Sequence, residues 1–115
     1  LAGGLTNCKK IAALAEADYV QLMPHNPLSC VLSAACVHLD ASIHNFAIQE
    51  YQLHELEAPR RDLVQEPLEL CNGYLIVPDK PGLGIELNEE AFKHYPPVSR
   101  DRQPIIGSDG ALRDY

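Results

Sequence analysis

The stretch YVQLMPHNPLSCVLSAACVHLDASIHNFAIQEY, residues 19–51, contains a strand-like run, a helix-like run and a second strand-like run. The apolar segments 19–23 and 45–51 have the β-branched and aromatic composition of strands. Pro27 is well placed as the first residue of the intervening helix, because proline suits the first turn. Its apolar stripe is expected to comprise Leu28, Val31, Leu32, Ala35 and Leu39. Strand, helix and strand with short connections predict two parallel strands of an α/β fold.

The segments on either side of this unit are expected to form a helix upstream and an antiparallel hairpin downstream. Upstream, Thr6 or Asn7 is expected to cap a helix whose apolar side includes Ile11 and Leu14. Downstream, Asn72-Gly73 separates two apolar runs between Leu68 and Pro78, which predicts a two-residue hairpin. Asn88 is expected to cap a short helix, and the tail after it is expected to be an extended arm.

The composition excludes several classes of protein. The formal net charge of -7, with no basic patch interleaved with aromatic residues, disfavours binding to nucleic acid or to an anionic membrane. No apolar run approaches the roughly 20 residues of a membrane span, so we expect a cytoplasmic protein. The four cysteines, Cys8, Cys30, Cys36 and Cys71, lack zinc-site spacing, and we expect reduced thiols that act as small apolar side chains.

A parallel sheet of only two strands leaves its edges unpaired, whereas parallel sheets are usually larger and covered on both faces. We therefore expect a piece of a repeating β/α architecture, and a barrel fits because its catalytic groups follow the strands. His25 ends the first predicted strand and Glu50 ends the second. Taken singly, the histidine could be a loop hydrogen-bonder and the glutamate a solvated residue. Their equivalent positions favour a shared site, while Asn26 either lines it or caps the next helix.

Four motifs in order, GGLTNCKKIAALAEA, LMPHNPL, ACVHLDASIHNFAIQEY and PDKPGLGIELNEEA, closely resemble the C-terminal part of the enolase superfamily in its mandelate racemase-like branch. The resemblance is strongest to the D-galactonate dehydratase-like acid-sugar dehydratases. It implies the C-terminal part of a (β/α)7β TIM-type barrel, about the last two β/α units, over residues 1–57. Residues 58–115 would form a hairpin, a short helix and an arm that pack on a capping domain.

The resemblance also implies a reaction. A proton is removed next to a carboxylate, giving an enediolate stabilised by Mg²⁺, and the β-hydroxyl then leaves to give a 2-keto-3-deoxy sugar acid. His25 matches the general acid for that hydroxyl, and Glu50 matches the residue that contacts the substrate carboxylate. The metal ligands, the base and the carboxylate that orients the histidine match positions upstream of Leu1.

The expected protein is thus part of a homo-oligomeric enzyme with a small sugar-acid substrate, and the isolated 115 residues are expected to be inactive. Two alternatives stay open at this point. One is a racemase or epimerase of the same superfamily, and the other is a truncated, non-catalytic module.

Overall fold

Three helices and two short antiparallel hairpins make up the regular structure of the residues that the computed structural model describes, 2–98 and 105–113. Helix α1 spans Leu5–Ala17, α2 spans Cys30–Ala41 and α3 spans Ala91–His94. Strand β1 (Leu70–Cys71) pairs with β2 (Tyr74–Leu75), and β3 (Ile105–Ile106) pairs with β4 (Leu112–Arg113). Two 3-10 turns, Leu53–Leu56 and Arg61–Leu63, connect α2 to the first hairpin.

The two predicted parallel strands are extended segments joined at one point. Leu22 and Phe46 form a single parallel bridge. The Leu22 N–H donates to the Asn45 carbonyl at 2.7 Å, and the Ala47 N–H donates to the Leu22 carbonyl at 2.9 Å. The parallel direction is therefore as predicted, but two regular strands are not formed. Parallel strands need neighbours on both sides and cover on both faces, and nothing in the described residues supplies them.

Both long helices begin elsewhere than predicted. Helix α1 is preceded by Gly4 at φ 93°, so Thr6 and Asn7 lie inside the helix rather than at its cap. Helix α2 begins three residues after Pro27, because Ser29 caps it by accepting the Leu32 N–H at 3.3 Å. A serine hydroxyl satisfies a free N–H of the first turn, which proline does not do.

The core lies between α2 and the segment that contains the first hairpin. Ala34, Val37 and Leu68 are its buried residues, and three half-buried side chains pack against them: Leu75, Leu83 and Ile85. The buried face of α2 also includes Cys30, Ser33, Cys36 and Leu39. The predicted stripe is wrong at Leu28 and Val31, which are exposed, because the partner of α2 is the hairpin segment on a neighbouring face.

The described residues do not form a compact, closed hydrophobic core. The radius of gyration is 17.1 Å, whereas a compact domain of this length has a value of about 13 Å. Ile11 and Leu14, predicted to be buried, are exposed on α1, and so are Val20, Met23 and Ile48 of the extended segments. None of the helices within the described ranges is long and apolar enough to span a membrane.

The C-terminal half is held by turns and side-chain contacts. Asn72 and Gly73, at φ 51° and 83°, form the turn between β1 and β2. Asn88 does not cap α3; its Nδ2 donates to the Asp62 carbonyl at 3.0 Å. Within the predicted arm, residues 105–113 fold back as the β3–β4 hairpin, and residues 99–104 and 114–115 lie outside the described ranges.

All four cysteines are free thiols. Cys8 lies in α1, Cys30 and Cys36 are buried in α2, and Cys71 is exposed in β1. Burial, reinforced by the nearby Asp40 carboxyl, raises the pKa of Cys36 to about 11. This thiol therefore stays protonated near neutral pH and packs as a small apolar side chain.

Candidate functional site

The structure brings the two predicted site residues, His25 and Glu50, into direct contact. The His25 Nδ1 is hydrogen-bonded to the Glu50 Oε2. Because an ionised carboxylate only accepts, Nδ1 carries the proton of this bond, which leaves Nε2 as the nitrogen available to another molecule. The pair is open to solvent, since the side chains of His25 and Glu50 are 67% and 39% exposed.

The expectation that a carboxylate upstream of Leu1 orients His25 stays a prediction. Among the described residues, the carboxylate at the His25 Nδ1 is that of Glu50. The local reason is the parallel bridge between Leu22 and Phe46, which sets the two extended segments side by side. His25 follows the bridge by three residues and Glu50 by four, so both side chains reach the same end of the pair.

Gln49 links the backbones on either side of the contact. Its Nε2 donates to the Pro24 carbonyl at 3.2 Å and to the Glu50 carbonyl at 2.6 Å. The residue before His25 is therefore tied to the residue before Glu50. Pro24 and Pro27 add stiffness, since each ring fixes φ near -65°.

The residue after His25 belongs to a group of three buried polar residues, Asn26, Ser33 and Glu55, here called the buried polar cluster. Asn26 is 1% and Glu55 is 3% exposed. The Asn26 Nδ2 donates to the Ser33 Oγ at 2.5 Å, and the Ser33 hydroxyl donates to the Glu55 Oε1 at 2.6 Å. Asn26 also lies 3.4 Å from the Glu55 Oε1.

Asn26 has a larger role than the cap that was expected of it. Its Oδ1 accepts the Leu28 N–H at 2.9 Å and the Ser29 N–H at 3.4 Å, while the cap of α2 itself is Ser29. Glu55 was not recognised from the sequence, because it lies in a polar stretch typical of a linker. Only its contacts with Asn26 and Ser33, 29 and 22 positions away, show that it is buried.

A cleft of about 490 Å³ lies beside the site, between α2, the segment 46–51 and the first hairpin. Asp40, Gln49 and Tyr51 line it, and each has one polar atom without a hydrogen-bond partner among the described residues: Oδ1, Oε1 and the hydroxyl. Burial raises the pKa of the Asp40 carboxyl to about 6. Burial also raises the pKa of Tyr51, and the charge of Glu55 adds to that shift. His25 and Glu50 do not line this cleft.

The described residues do not fit a metal ion. Nowhere in 2–98 and 105–113 do three His, Cys, Asp or Glu side chains gather closely enough to hold one. The other histidines also lie apart from the site: the His38 Nε2 is 3.2 Å from the Leu83 carbonyl, and His44 faces Glu16 at 3.7 Å. The chain's own site chemistry is thus that of an imidazole and a carboxylate.

Comparison with known proteins assigns the chain more closely. A family model described as "Enolase C-terminal domain-like" matches residues 1–91. A D-galactonate dehydratase of Xanthomonas campestris pv. campestris (strain B100) is 40% identical over 121 residues, which cover 99% of this chain and 32% of the relative. The chain thus spans about a third of the length of the curated relatives it matches.

Solved structures give the same picture, with an α/β fold. A protein assigned to the mandelate racemase/muconate lactonizing enzymes, from Burkholderia SAR-1, has a TM-score of 0.80 and 35% identity, covering 96% of this chain and 29% of its own. An enolase assigned as a galactarate dehydratase, from Agrobacterium radiobacter, is bound to Na and L-malate. Its TM-score is 0.77 at 32% identity, and the match covers 96% of this chain and 31% of that chain.

A further solved structure is assigned as an L-alanine-DL-glutamate epimerase, from Burkholderia xenovorans strain LB400, and is bound to magnesium and fumarate. Its TM-score is 0.77 at 33% identity, with 83% of this chain and 23% of that chain covered. Relatives of this fold therefore include proteins assigned to more than one reaction.

Proposed function

This chain belongs to the enolase C-terminal domain-like family, and on that premise we propose that it is the C-terminal part of the barrel domain of a Mg²⁺-dependent acid-sugar dehydratase. The observation that carries the proposal is the contact between His25 and Glu50 at the ends of two parallel extended segments. In β/α barrels this end of the strands holds the catalytic groups. The relatives named D-galactonate dehydratase support a sugar acid as the substrate.

His25 is the general acid of the proposed reaction. Removal of the proton next to the substrate carboxylate gives an enediolate, and the bond from the β-carbon to its hydroxyl then breaks. A hydroxide is a poor leaving group, so the proton on the His25 Nε2 is transferred to the departing oxygen, which leaves as water. The product tautomerises to a 2-keto-3-deoxy sugar acid.

Glu50 serves this step through the nitrogen that does not react. Its carboxylate accepts the His25 Nδ1–H, which fixes the ring and stabilises the imidazolium before proton transfer. We also propose that Glu50 contacts the substrate carboxylate through Oε1: with a proton on Oε1 it donates a hydrogen bond there, while Oε2 still accepts the His25 Nδ1–H. One residue would then orient both the acid and the substrate.

The magnesium ion and the base belong to the rest of the complete protein, because the family's residues for them match no position in this chain. We therefore propose that the isolated 115 residues are inactive and that the complete enzyme is a cytoplasmic homo-oligomer. The proton transfer from His25 needs no metal ligand from the described residues.

An epimerase is the second candidate, favoured by the likeness to the structure assigned as an L-alanine-DL-glutamate epimerase. In that reaction His25 would exchange a proton with the α-carbon itself, and no water would leave. A non-catalytic module is disfavoured by the exposed apolar side chains of α1 and of the extended segments, which invite aggregation in a free-standing chain.

The test is an assay of the complete protein with Mg²⁺ against a panel of acid sugars that includes D-galactonate, with the 2-keto product measured by ¹³C NMR. We expect dehydration of at least one sugar acid, loss of product in His25→Gln, and wild-type rates in His44→Gln, an exposed histidine away from the site. If the substrate is epimerised and no keto product forms, the protein is an epimerase and the proposal of a dehydratase is wrong. Full activity of His25→Gln would show that His25 is not the general acid.

A further inference from the structure

The buried polar cluster includes residues that follow each member of the proposed acid pair in the chain. Asn26 follows His25 directly in the chain, and Glu55 is in the 3-10 turn that follows Glu50 by three residues. Ser33, on the first turns of α2, bridges them through its hydroxyl. The cluster therefore connects the segment after the histidine to the segment after the glutamate.

His25 itself has little to hold it. Its side chain is 67% exposed, and among the described residues it is hydrogen-bonded to Glu50. Asn26, in contrast, is fixed by its amide group on both sides: Nδ2 donates to Ser33 and to the Ser29 carbonyl at 3.0 Å, and Oδ1 accepts two backbone N–H groups. The position of the exposed imidazole is thus set by the buried residue next to it.

Burial makes this arrangement stiff. A buried polar group that loses its hydrogen-bond partner destabilises the fold, and more so if it is charged, so the three side chains resist displacement. Residues 53–56 are held as well, because the Glu55 N–H donates to the Gln52 carbonyl at 2.9 Å. A shift of one segment relative to the other would break the Ser33 bridge.

We propose that Asn26, Ser33 and Glu55 are positioning residues that hold His25 in reach of Glu50 and of the leaving hydroxyl, a role that rests on the proposed function. They act through the backbone beside the pair rather than on the reacting atoms. Misplacement of a catalytic group by about 1 Å lowers a rate by about a hundredfold. Loss of the cluster is therefore expected to reduce kcat while the groups that bind the substrate keep KM nearly constant.

Three variants of the complete enzyme test this role. Glu55→Ala removes the acceptor of the cluster, and Glu55→Gln retains an oxygen in the same place as a conservative rescue. Ser33→Ala removes only the bridging hydroxyl, and it serves if Glu55→Ala does not fold. Glu57→Ala is the matched control, because Glu57 is exposed and lies two residues from Glu55.

We expect kcat to fall about tenfold to a hundredfold in Glu55→Ala and Ser33→Ala, with KM changed less than about threefold. Glu55→Gln and Glu57→Ala should retain wild-type kcat. Unchanged kcat per folded enzyme in both Ala variants, with only the melting temperature lowered, would overturn the positioning role and leave the cluster purely structural.

A second readout does not depend on the reaction. In enzyme labelled with [¹⁵N]histidine, the ring nitrogens of His25, assigned by comparison with His25→Gln, report which nitrogen carries the proton. Glu55→Ala and Ser33→Ala should lose the protonated Nδ1 signal that the bond to Glu50 produces, and an unchanged signal would refute the role. If the wild type dehydrates no sugar acid, the proposed function fails, while this measurement still decides the positioning.

Discussion

Asp40→Asn is expected to stabilise the complete protein above neutral pH. The Asp40 carboxyl lines the cleft beside the site, and its Oδ1 has no hydrogen-bond partner among the described residues. Burial raises its pKa from the ordinary value of 3.8 to about 6. The folded protein therefore prefers the protonated form, and ionising this group near pH 7 costs stability.

The sign and window follow from those two pKa values. Between about pH 4 and pH 6 the folded state binds more protons at Asp40 than the unfolded state does, so the free energy of unfolding decreases as the pH rises. Each tenfold difference between the acid constants corresponds to about 1.4 kcal/mol, which sets an upper limit near 3 kcal/mol. The side chain is only half-buried, so we expect about 1–2 kcal/mol after solvent screening.

The assay is urea unfolding of wild type, Asp40→Asn and Asp79→Asn at pH 4.5, 6 and 8, followed by far-UV circular dichroism. Asp79 is an exposed carboxylate, so its variant controls for the loss of one charge. The benefit of Asp40→Asn should grow from pH 4.5 to pH 6 and stay constant to pH 8. A variant that is no more stable than Asp79→Asn at pH 8 would show that Asp40 has a partner there, and the reasoning would be wrong.

Three further outcomes are expected. Leu68→Ala should lower the free energy of unfolding by about 2–5 kcal/mol, because Leu68 is 5% exposed in the core. Leu53→Ala, at a 62% exposed position, should change it by less than about 0.5 kcal/mol. Equal losses in urea unfolding would show that Leu68 is not a core residue. Gly84→Ala should destabilise more than Gly82→Ala, because both have positive φ but only at Gly84 would an added Cβ clash with the Pro78 ring; similar melting temperatures would refute that clash. The isolated 115 residues should bind a hydrophobic dye, unfold without a cooperative transition and form no keto product with Mg²⁺, and a cooperative monomeric transition would count against an open piece of a barrel.

The local sequence pattern was sufficient to predict the relative direction of the two extended segments and the position of the first hairpin turn. Two extended segments separated by one helix run parallel, and this places His25 and Glu50 at the same end, where the structure finds them in contact. The Asn72-Gly73 turn is likewise a local matter, since both residues tolerate the positive φ that the turn requires.

Features that depend on distant partners could not be predicted in the same way. Periodicity shows that α2 is amphipathic, but the hairpin segment around Leu68 decides which face is buried, and Leu28 and Val31 lie off that face. Regular strands failed to form for a similar reason, since a sheet needs neighbouring strands that the described part of the chain does not contribute.

Glu55 shows the limit for the site. A glutamate in a polar run is usually solvated, and no local spacing distinguishes it from Glu57. Its burial is decided by Asn26 and Ser33, which offer hydrogen bonds from distant parts of the chain.

The role proposed for His25, as the acid that expels the β-hydroxyl, can be measured in the complete enzyme with His25→Asn, by ¹H NMR of a sugar-acid substrate in D₂O. We expect the α-proton to exchange for deuterium while the 2-keto product falls by at least about a hundredfold, since general acid catalysis supplies 10²–10⁴ in rate. Product formation at the wild-type rate, or loss of exchange together with loss of product, would contradict the assignment.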